Sequence, residues 1–343
     1  MDYFAFRLEE IALSRLAGRE LVTGFLADHG LCLDAGMEKY YGVFRGERLV
    51  GGAGYERNII KCVAVASEFR GEGIVNALVS KIVTELRQRG CNNIFIFTKP
   101  DNAILFESLG FSQVEKTSDV LLLESDSKAL QRYLDEFGQY QAGDGIGAIV
   151  MNCNPFTLGH RYLIETAAEQ FSRLLIFAVQ EEASVFPFDV RLRLMQEGTA
   201  DLPGVTVIPG GEYVISAATF PTYFLGDTSG AARAHTELDI TIFGKRIAPA
   251  AGIVHRFAGD EPYSIVTRMY NASMQRFLPP LGVAVSIIPR RELGGEVISA
   301  SRVRTLLASA RLEEVKRLVP ETTYRFLTSP EAEPVVARIR AEA

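Results

Sequence analysis

Apolar residues recur along this chain with two different spacings, and the switch between them divides the chain into elements. Over residues 11–28, Leu13, Leu16, Leu21, Phe25 and Leu26 fall on one side of a helix. Two apolar runs, Tyr41 to Phe44 and Leu49 to Tyr55, flank the turn-rich Arg45-Gly46-Glu47-Arg48 and read as a hairpin. Ile59 to Val65 reads as another strand. After the turn Ser67-Glu-Phe-Arg-Gly-Glu-Gly73, the pattern predicts an amphipathic helix from Asn76 to Arg89. Ile94 to Phe97 is a short buried strand. A helix opens at Asp101-Asn102-Ala103, with Asp101 or Asn102 as its cap, and closes at Gly110. Val120 to Leu123 is a last strand.

Leu130 to Phe137 predicts a short helix, and Gly138 to Gly145 carries three glycines and no apolar core. The expected division is a first domain at 1–132, a linker at 133–145 and a second domain at 146–343. In the second, Ile146–Met151, Leu174–Val179, Val205–Ile208, Ile240–Phe243, Ile253–Ala258 and Val283–Ile288 read as strands. Leu163, Ile164, Ala167, Ala168 and Phe171 keep helical spacing, as do residues 190–200 and Ser264–Leu278. Strands alternating with helices imply an α/β domain. Its sheet is parallel, with a ligand at the carboxyl ends of the strands. Glu181, Glu182, Gly259 and Asp260 fall at such ends. The tail after Pro330 is expected to be partly loose.

Composition narrows the function classes. The chain has 343 residues, 48% hydrophobic and 23% charged, an ordinary globular balance. Thirty-six basic residues against 42 acidic leave a net charge of −6, with no footprint for nucleic acid or an anionic membrane. No apolar run is long enough to span a membrane, and the N-terminus lacks the basic and apolar regions of a signal peptide. The four cysteines lack C-x-x-C spacing. No zinc site or other protein metal cluster is expected, and the cytoplasm is the expected compartment. Cys153 reads as a small hydrophobe lining a turn.

The densest chemistry lies in Met151-Asn-Cys-Asn-Pro-Phe-Thr-Leu-Gly-His160, where a strand turns into a helix. The amides and partial positive charge of a helix start favour a phosphate there. Gly159 removes a Cβ that would block a ligand, His160 offers a charge-assisted hydrogen bond, and Thr157 adds a hydroxyl. This T-x-G-H string resembles the (H/T)-x-G-H signature of the nucleotidyltransferase superfamily, which binds ATP on a Rossmann-like sheet. Ile298-Ser-Ala-Ser-Arg-Val-Arg304 matches its late I-S-x-S/T-x-x-R pattern. Ser299 is a natural N-cap, Ser301 lies in the first turn, and Arg304 can fork onto phosphate oxygens. No Walker A motif competes, since Gly244-Lys245 is followed by Arg246.

The first domain resembles the Gcn5-related N-acetyltransferase (GNAT) fold, with its strand, R-G-x-G turn, helix, strand and short helix ending Leu109-Gly110-Phe111. That resemblance implies that Arg70, Gly71 and Gly73 wrap the pyrophosphate of a coenzyme A-like group. Val75 departs from the family pattern, which has Gly or Ala there.

The two domains in this order resemble the citrate lyase ligase family across essentially the whole chain. Ser184-Val-Phe-Pro-Phe188 with Arg191, Gly198-Thr-Ala-Asp-Leu-Pro203 and Gly259-Asp-Glu-Pro262 point the same way. The resemblance implies use of ATP and Mg²⁺ to join acetate to the thiol of a phosphoribosyl-dephospho-coenzyme A group. That group sits on the acyl carrier subunit of citrate lyase, and AMP and diphosphate leave. It implies His160, Thr157, Arg304 and Ser301 as catalytic residues. Asn154, Phe156, Gly159, Arg191, Gly259, Asp260 and Ser299 would bind the nucleotide, and Arg70, Gly71 and Gly73 the coenzyme A-like arm. Other readings stay open: the equivalent acetate ligase of malonate decarboxylase, an adenylyltransferase acting on a phosphorylated cofactor precursor, an acetyltransferase with a regulatory nucleotide domain, and a non-catalytic binding module.

Overall fold

The computed structural model describes residues 6–141, 145–180, 184–214, 228–260 and 265–342. Contacts divide the chain into two compact units: Met1–Arg132 with Phe220–Leu238, and Tyr133–Thr219 with Asp239–Ala343.

The first unit holds β1 (Arg7–Ile11), α1 (Leu16–Asp28), β2 (Lys39–Arg45), β3 (Arg48–Glu56), β4 (Ile59–Val65), α2 (Ile74–Gln88), β5 (Phe95–Thr98), α3 (Ala103–Ser108), β6 (Ser112–Lys116) and β7 (Leu121–Glu124). They form a seven-stranded mixed sheet in the order β1-β2-β3-β4-β5-β7-β6. Its edges, β1 and β6, had no strand signal in the sequence. Arg7-Leu-Glu-Glu-Ile11 and Ser112-Gln-Val-Glu-Lys116 are polar, as edge strands usually are. α1 buries Val22, Phe25 and Leu26, while Leu16 and Leu21 are exposed, so the predicted apolar face is shorter than expected. Asn102 does not cap α3 with its side chain; its amide donates to Thr98 Oγ1 at 2.8 Å instead. β4 and β5 are the parallel pair, and they pair only at Ile59–Phe95 and Ile60–Ile96. Beyond that point they diverge, and a cavity fills the gap.

The second unit continues from α4 (Ala129–Asp135), which crosses the division. It holds β8 (Ile146–Met151), α5 (Leu158–Ala168), β9 (Leu174–Ala178), α6 (Phe188–Glu197) and β10 (Val205–Pro209). α7 (Thr228–Ile242), which also crosses the division, α8 (Ala248–Ala251), β11 (Ile253–Gly259), α9 (Ile265–Phe277) and β12 (Ala284–Ile288) follow. A two-stranded ribbon, β13 (Glu292–Leu293) and β14 (Glu296–Val297), precedes α10 (Ala300–Ala308), α11 (Leu312–Val315), α12 (Glu321–Leu327) and α13 (Glu333–Ala341). The main sheet is wholly parallel, in the order β10-β9-β8-β11-β12. Its carboxyl edge is level: Met151 pairs with Ala178, and Gly259 with Ile288.

Three expectations change in this unit. Ile240–Phe243 is not a strand: it finishes α7 and enters a π-helical turn at Phe243–Ile247. Ile240, Ile242 and Phe243 are all buried, and a short run buried on every side reads alike in helix and strand. The tail after Pro330 is ordered as α13, with Val335 and Ile339 buried. The described start of the stretch read as a linker, residues 133–141, is packed. Tyr133 donates to the Gly210 carbonyl at 2.5 Å, and the Phe137 ring meets Phe177 edge-on at 5.7 Å. Among the described residues no helix is long and apolar enough to cross a membrane.

Phe177 sits at the centre of this packing, fully buried between the rings of Phe137 and Phe243. Phe177→Ala is expected to destabilise the protein by about 3–5 kcal/mol. Urea unfolding checks this, and a loss below about 1 kcal/mol would contradict it.

Candidate functional site

The carboxyl edge of the parallel sheet carries both sequence motifs. β8 ends at Met151, and residues 152–157 turn the chain into α5. Cys153 lies in this turn with a φ of 51°, fully enclosed, and burial pushes its thiol well above the ordinary range. It is an apolar filler, not a nucleophile.

Thr157 caps α5. Its Oγ1 accepts from the His160 amide at 3.3 Å, while the Thr157 amide donates to His160 Nδ1 at 3.1 Å. This is a capping box with an imidazole in place of the usual carboxylate or carboxamide. Because Nδ1 accepts, the hydrogen of the neutral ring is on Nε2. Burial, with a smaller push from the Arg290 cation, lowers the imidazole from 6.5 to about 4. His160 is therefore neutral at pH 7. The charge-assisted bond expected of it is replaced by a neutral N–H donor. Of the first-turn amides, Leu158 N is taken by the Leu318 carbonyl at 2.9 Å and His160 N by Thr157, which leaves that of Gly159.

Phe156 is fully buried and stacks against the imidazole, with centroids 6.0 Å apart and planes at 15°. Gly198 makes room for it: a Cβ there would fall 2.5 Å from Phe156 Cε1. The ring supports His160 from the core and presents no face to a ligand. The close approach that Gly159 permits is also not to a ligand. A Cβ on Gly159 would lie 2.7 Å from the carbonyl oxygen of Ile298, in the second motif.

That motif opens α10. Ser299 Oγ accepts from the Arg302 amide at 3.2 Å and so is occupied as the N-cap. Ser301 is exposed, and its hydroxyl accepts from Arg304 Nη2 at 3.2 Å. Arg304 Nη1 donates to the Asn154 carbonyl at 2.5 Å, which joins the motifs directly. The Asn154 side chain accepts from Phe186 N at 3.0 Å and holds the neighbouring loop.

Arg191 takes a different place from the one expected. It lies on the inner face of α6 with Val190, Leu194 and Met195 and is fully buried. Its guanidinium donates to the carbonyls of Phe186 at 3.0 Å, Asn152 at 2.8 Å and Val179 at 2.9 Å. These loop carbonyls have no strand or helix partner, and a buried guanidinium must satisfy its donors locally. Arg191 is a framework cation.

Gly259 and Asp260 close β11. The Asp260 amide donates to the Ile288 carbonyl at 2.8 Å, and its carboxylate belongs to an exposed residue. Glu181, Glu182 and Glu261 lie outside the described residues. Sequence reasoning passed over Arg290. It follows β12 at the same edge, donates from Nε to the Asp260 carbonyl at 2.6 Å, and its charge is felt at His160. The available signal was a cation two residues past a predicted strand end, where a ligand was already expected. Among the described residues, no group of three or more His, Cys, Asp or Glu is placed to hold a metal.

The cavity of the first unit, about 1040 Å³, runs between the diverging β4 and β5. Arg70, Gly71 and Gly73 line it, and α2 starts from Gly73 with no side-chain cap, so its first amides stay available. Gly71 and Gly73 have φ of 89° and 75°, and no atom lies within 4 Å of the position a Cβ would take. Backbone conformation, not crowding, requires glycine there. Val75 lines the same cavity, half-buried and packed against the core of the unit.

Two predictions follow from the motif contact and the imidazole. Gly159→Ala must push a Cβ against the Ile298 backbone, which costs about 1–3 kcal/mol. Thermal and urea unfolding measure this, and wild-type stability would refute the packing account. For His160, the folded pKa of about 4 lies below the ordinary 6.5, so the unfolded chain takes up the proton first as pH falls. Stability is thus full above about pH 6.5 and is lost as pH drops towards 4. His160→Gln, which can keep the capping box, removes this term. The wild type is expected to lose about 3 kcal/mol more than the variant between pH 7 and 4. Parallel pH–stability curves for the two would show that the ring is not held neutral.

Comparison with known proteins agrees with this geometry. Residues 146–327 match the model of the citrate lyase ligase C-terminal domain, and residues 10–111 match that of the acetyltransferase (GNAT) family. The chain is 41% identical over 315 residues to the citrate (pro-3S)-lyase ligase of Escherichia coli K12, covering 89% of each chain. It is 40% identical over 315 residues to the Klebsiella pneumoniae protein of the same name, covering 90% of this chain and 92% of that one. The Haemophilus influenzae Rd protein of that name is 39% identical over 317 residues, covering 90% of this chain and 94% of its own. This chain belongs to the citrate lyase ligase family.

Proposed function

We propose that this enzyme activates acetate with ATP and passes the acetyl group to the thiol of a coenzyme A-like arm on the acyl carrier subunit of citrate lyase. The observation that carries the reading is the Arg304 bond to the Asn154 carbonyl, which sets two helix starts side by side at one sheet edge. Acetate is a poor acyl donor until its carboxylate oxygen attacks the α-phosphorus of ATP. That forms acetyl-AMP and expels diphosphate. The step calls for charge stabilisation on phosphate oxygens more than for an acid or base. The residues present fit a nucleotide triphosphate: the Gly159 amide, the Nε2–H of His160, the hydroxyl of Ser301 and the cations of Arg304 and Arg290. Thr157 and Ser299 act as caps that aim these groups. Mg²⁺ would be held mainly by the phosphate oxygens, with Asp260, an exposed carboxylate at the strand edge, suited to join them.

The carrier thiol then attacks the acyl carbon of acetyl-AMP. A C–S bond forms, the C–O bond to the phosphate breaks, and AMP leaves with the electron pair. The cavity of the first unit suits the arm, with backbone amides at Gly71 and Gly73 for its pyrophosphate and apolar strand walls for its chain.

Exchange of labelled diphosphate into ATP tests the first step. It is expected to require acetate, and Arg304→Gln is expected to slow it about 10²–10³-fold. Exchange that ignores acetate, and instead follows a phosphorylated acceptor, would identify an adenylyltransferase. An acetate-activating enzyme that acetylates only the malonate decarboxylase carrier would keep the chemistry and change the partner.

A further inference from the structure

One wall of the first unit's cavity has no part in holding phosphates. α1 ends at Asp28, and His29 and Leu31 beyond it line the cavity. His29 is half-buried, and its Nδ1 lies 2.7 Å from the Phe25 carbonyl oxygen. A carbonyl can only accept, so Nδ1 carries the hydrogen and Nε2 keeps its lone pair. The Phe25 ring lies against the imidazole, with centroids 4.5 Å apart and planes tilted by 45°. The helix thus holds an imidazole in one tautomer with its basic nitrogen unused by that bond.

The rest of the lining sharpens the point. Among the described residues, the other ionisable groups on the cavity walls are Asp28 from α1, Arg70 from the turn after β4 and Lys99 from the end of β5. No tyrosine, cysteine or glutamate lines it. Arg70 belongs to the phosphate turn. A thiol is mostly protonated at neutral pH and attacks as the thiolate. If a thiol-bearing arm occupies this cavity, the imidazole, whose Nε2 keeps its lone pair, is the wall group suited to take its proton.

We propose that His29 is the base that ionises the arm's thiol. The inference rests on reading the cavity as the site of the coenzyme A-like arm. The S–H proton passes to His29 Nε2, the sulfur attacks the acyl carbon of acetyl-AMP, and AMP departs with the electrons of the C–O bond. The imidazolium then returns its proton to solvent. No oxidant or further reactant is needed.

A plain C-capping role for His29 predicts a different outcome, and His29→Asn separates the two. Asn can still donate to the Phe25 carbonyl, but it carries no base. Two measurements use the full chain. The first follows thiolate absorbance of bound dephospho-coenzyme A against pH. The wild type is expected to lower the ionisation midpoint of the bound thiol, and H29N is expected to leave it as in free solution. The second is single-turnover acetylation of the carrier, expected to fall about 10²-fold or more in H29N. Acetate-dependent diphosphate exchange, which does not use the arm, is expected to stay unchanged. Wild-type acetylation by H29N, with the wild-type pH profile, would overturn the proposal. So would a wild-type protein that fails to bind dephospho-coenzyme A. Acetate-dependent exchange persisting in that protein would leave the ligase reading standing while removing the arm from this cavity.

Discussion

The second unit depends on one close contact, the seating of the α5 start against the α10 start. Gly159 lets the Ile298 carbonyl in, and Arg304 ties α10 to the Asn154 carbonyl at 2.5 Å. Two helix N-termini side by side are electrostatically unfavourable, since each carries a partial positive charge. Arg304 and Arg290 add full charges to the same edge. A protonated His160 would add another, and the imidazole is instead held neutral at about 4. Such an edge is a poor place for a cation and a good one for a polyanion. The same concentration of positive charge would stabilise a bound triphosphate.

A further cation, buried out of reach, makes this edge possible. The loops after β8 and β9 leave carbonyls at Asn152, Val179 and Phe186 that no strand satisfies, and Arg191 takes all three. Asn154 adds a side-chain bond to Phe186 N. The described residues of these loops are thus held from below, so ordering them would cost a ligand little. Arg191 and Arg304 are both arginines beside a motif, and the difference between them is burial. A linear sequence places Arg191 on either face of α6 with equal ease, and only packing shows which face is inward.

How far the sequence could be read follows the same logic. β4 was predicted with the bounds observed, because a long β-branched run admits little else. That the second sheet is parallel followed from alternation alone, while its strand order did not. The T-x-G-H and I-S-x-S-x-x-R strings marked two capped helix starts, which the structure brings together. What stayed hidden had no period to show. The polar edges β1 and β6 bury one or two residues each. Ile240–Phe243 is buried all round and gave no face. Phe156 looked like a binding aromatic because its motif is functional in the resembled superfamily, yet it is part of the core beneath it. Long-range partners, such as Leu318 for Leu158 N or Asp260 for Arg290, have no local signature at all.

The two phosphate-type features differ in a way that bears on Val75. At α5 and α10, side chains cap the helices, so in the proposed site most of the recognition would fall to Nε2–H, hydroxyl and guanidinium groups. At α2, Gly71 and Gly73 hold a left-handed turn with no side-chain cap, and the backbone amides themselves would be the donors in the proposed arm site. Recognition by backbone constrains conformation more than side-chain identity, which is why glycine is required at 71 and 73. Val75 lies inside the first turn of α2, where its amide keeps its direction whatever side chain it bears. That side chain packs against the core of the unit. A β-branched residue at this position therefore narrows the cavity wall without removing the donors of the turn.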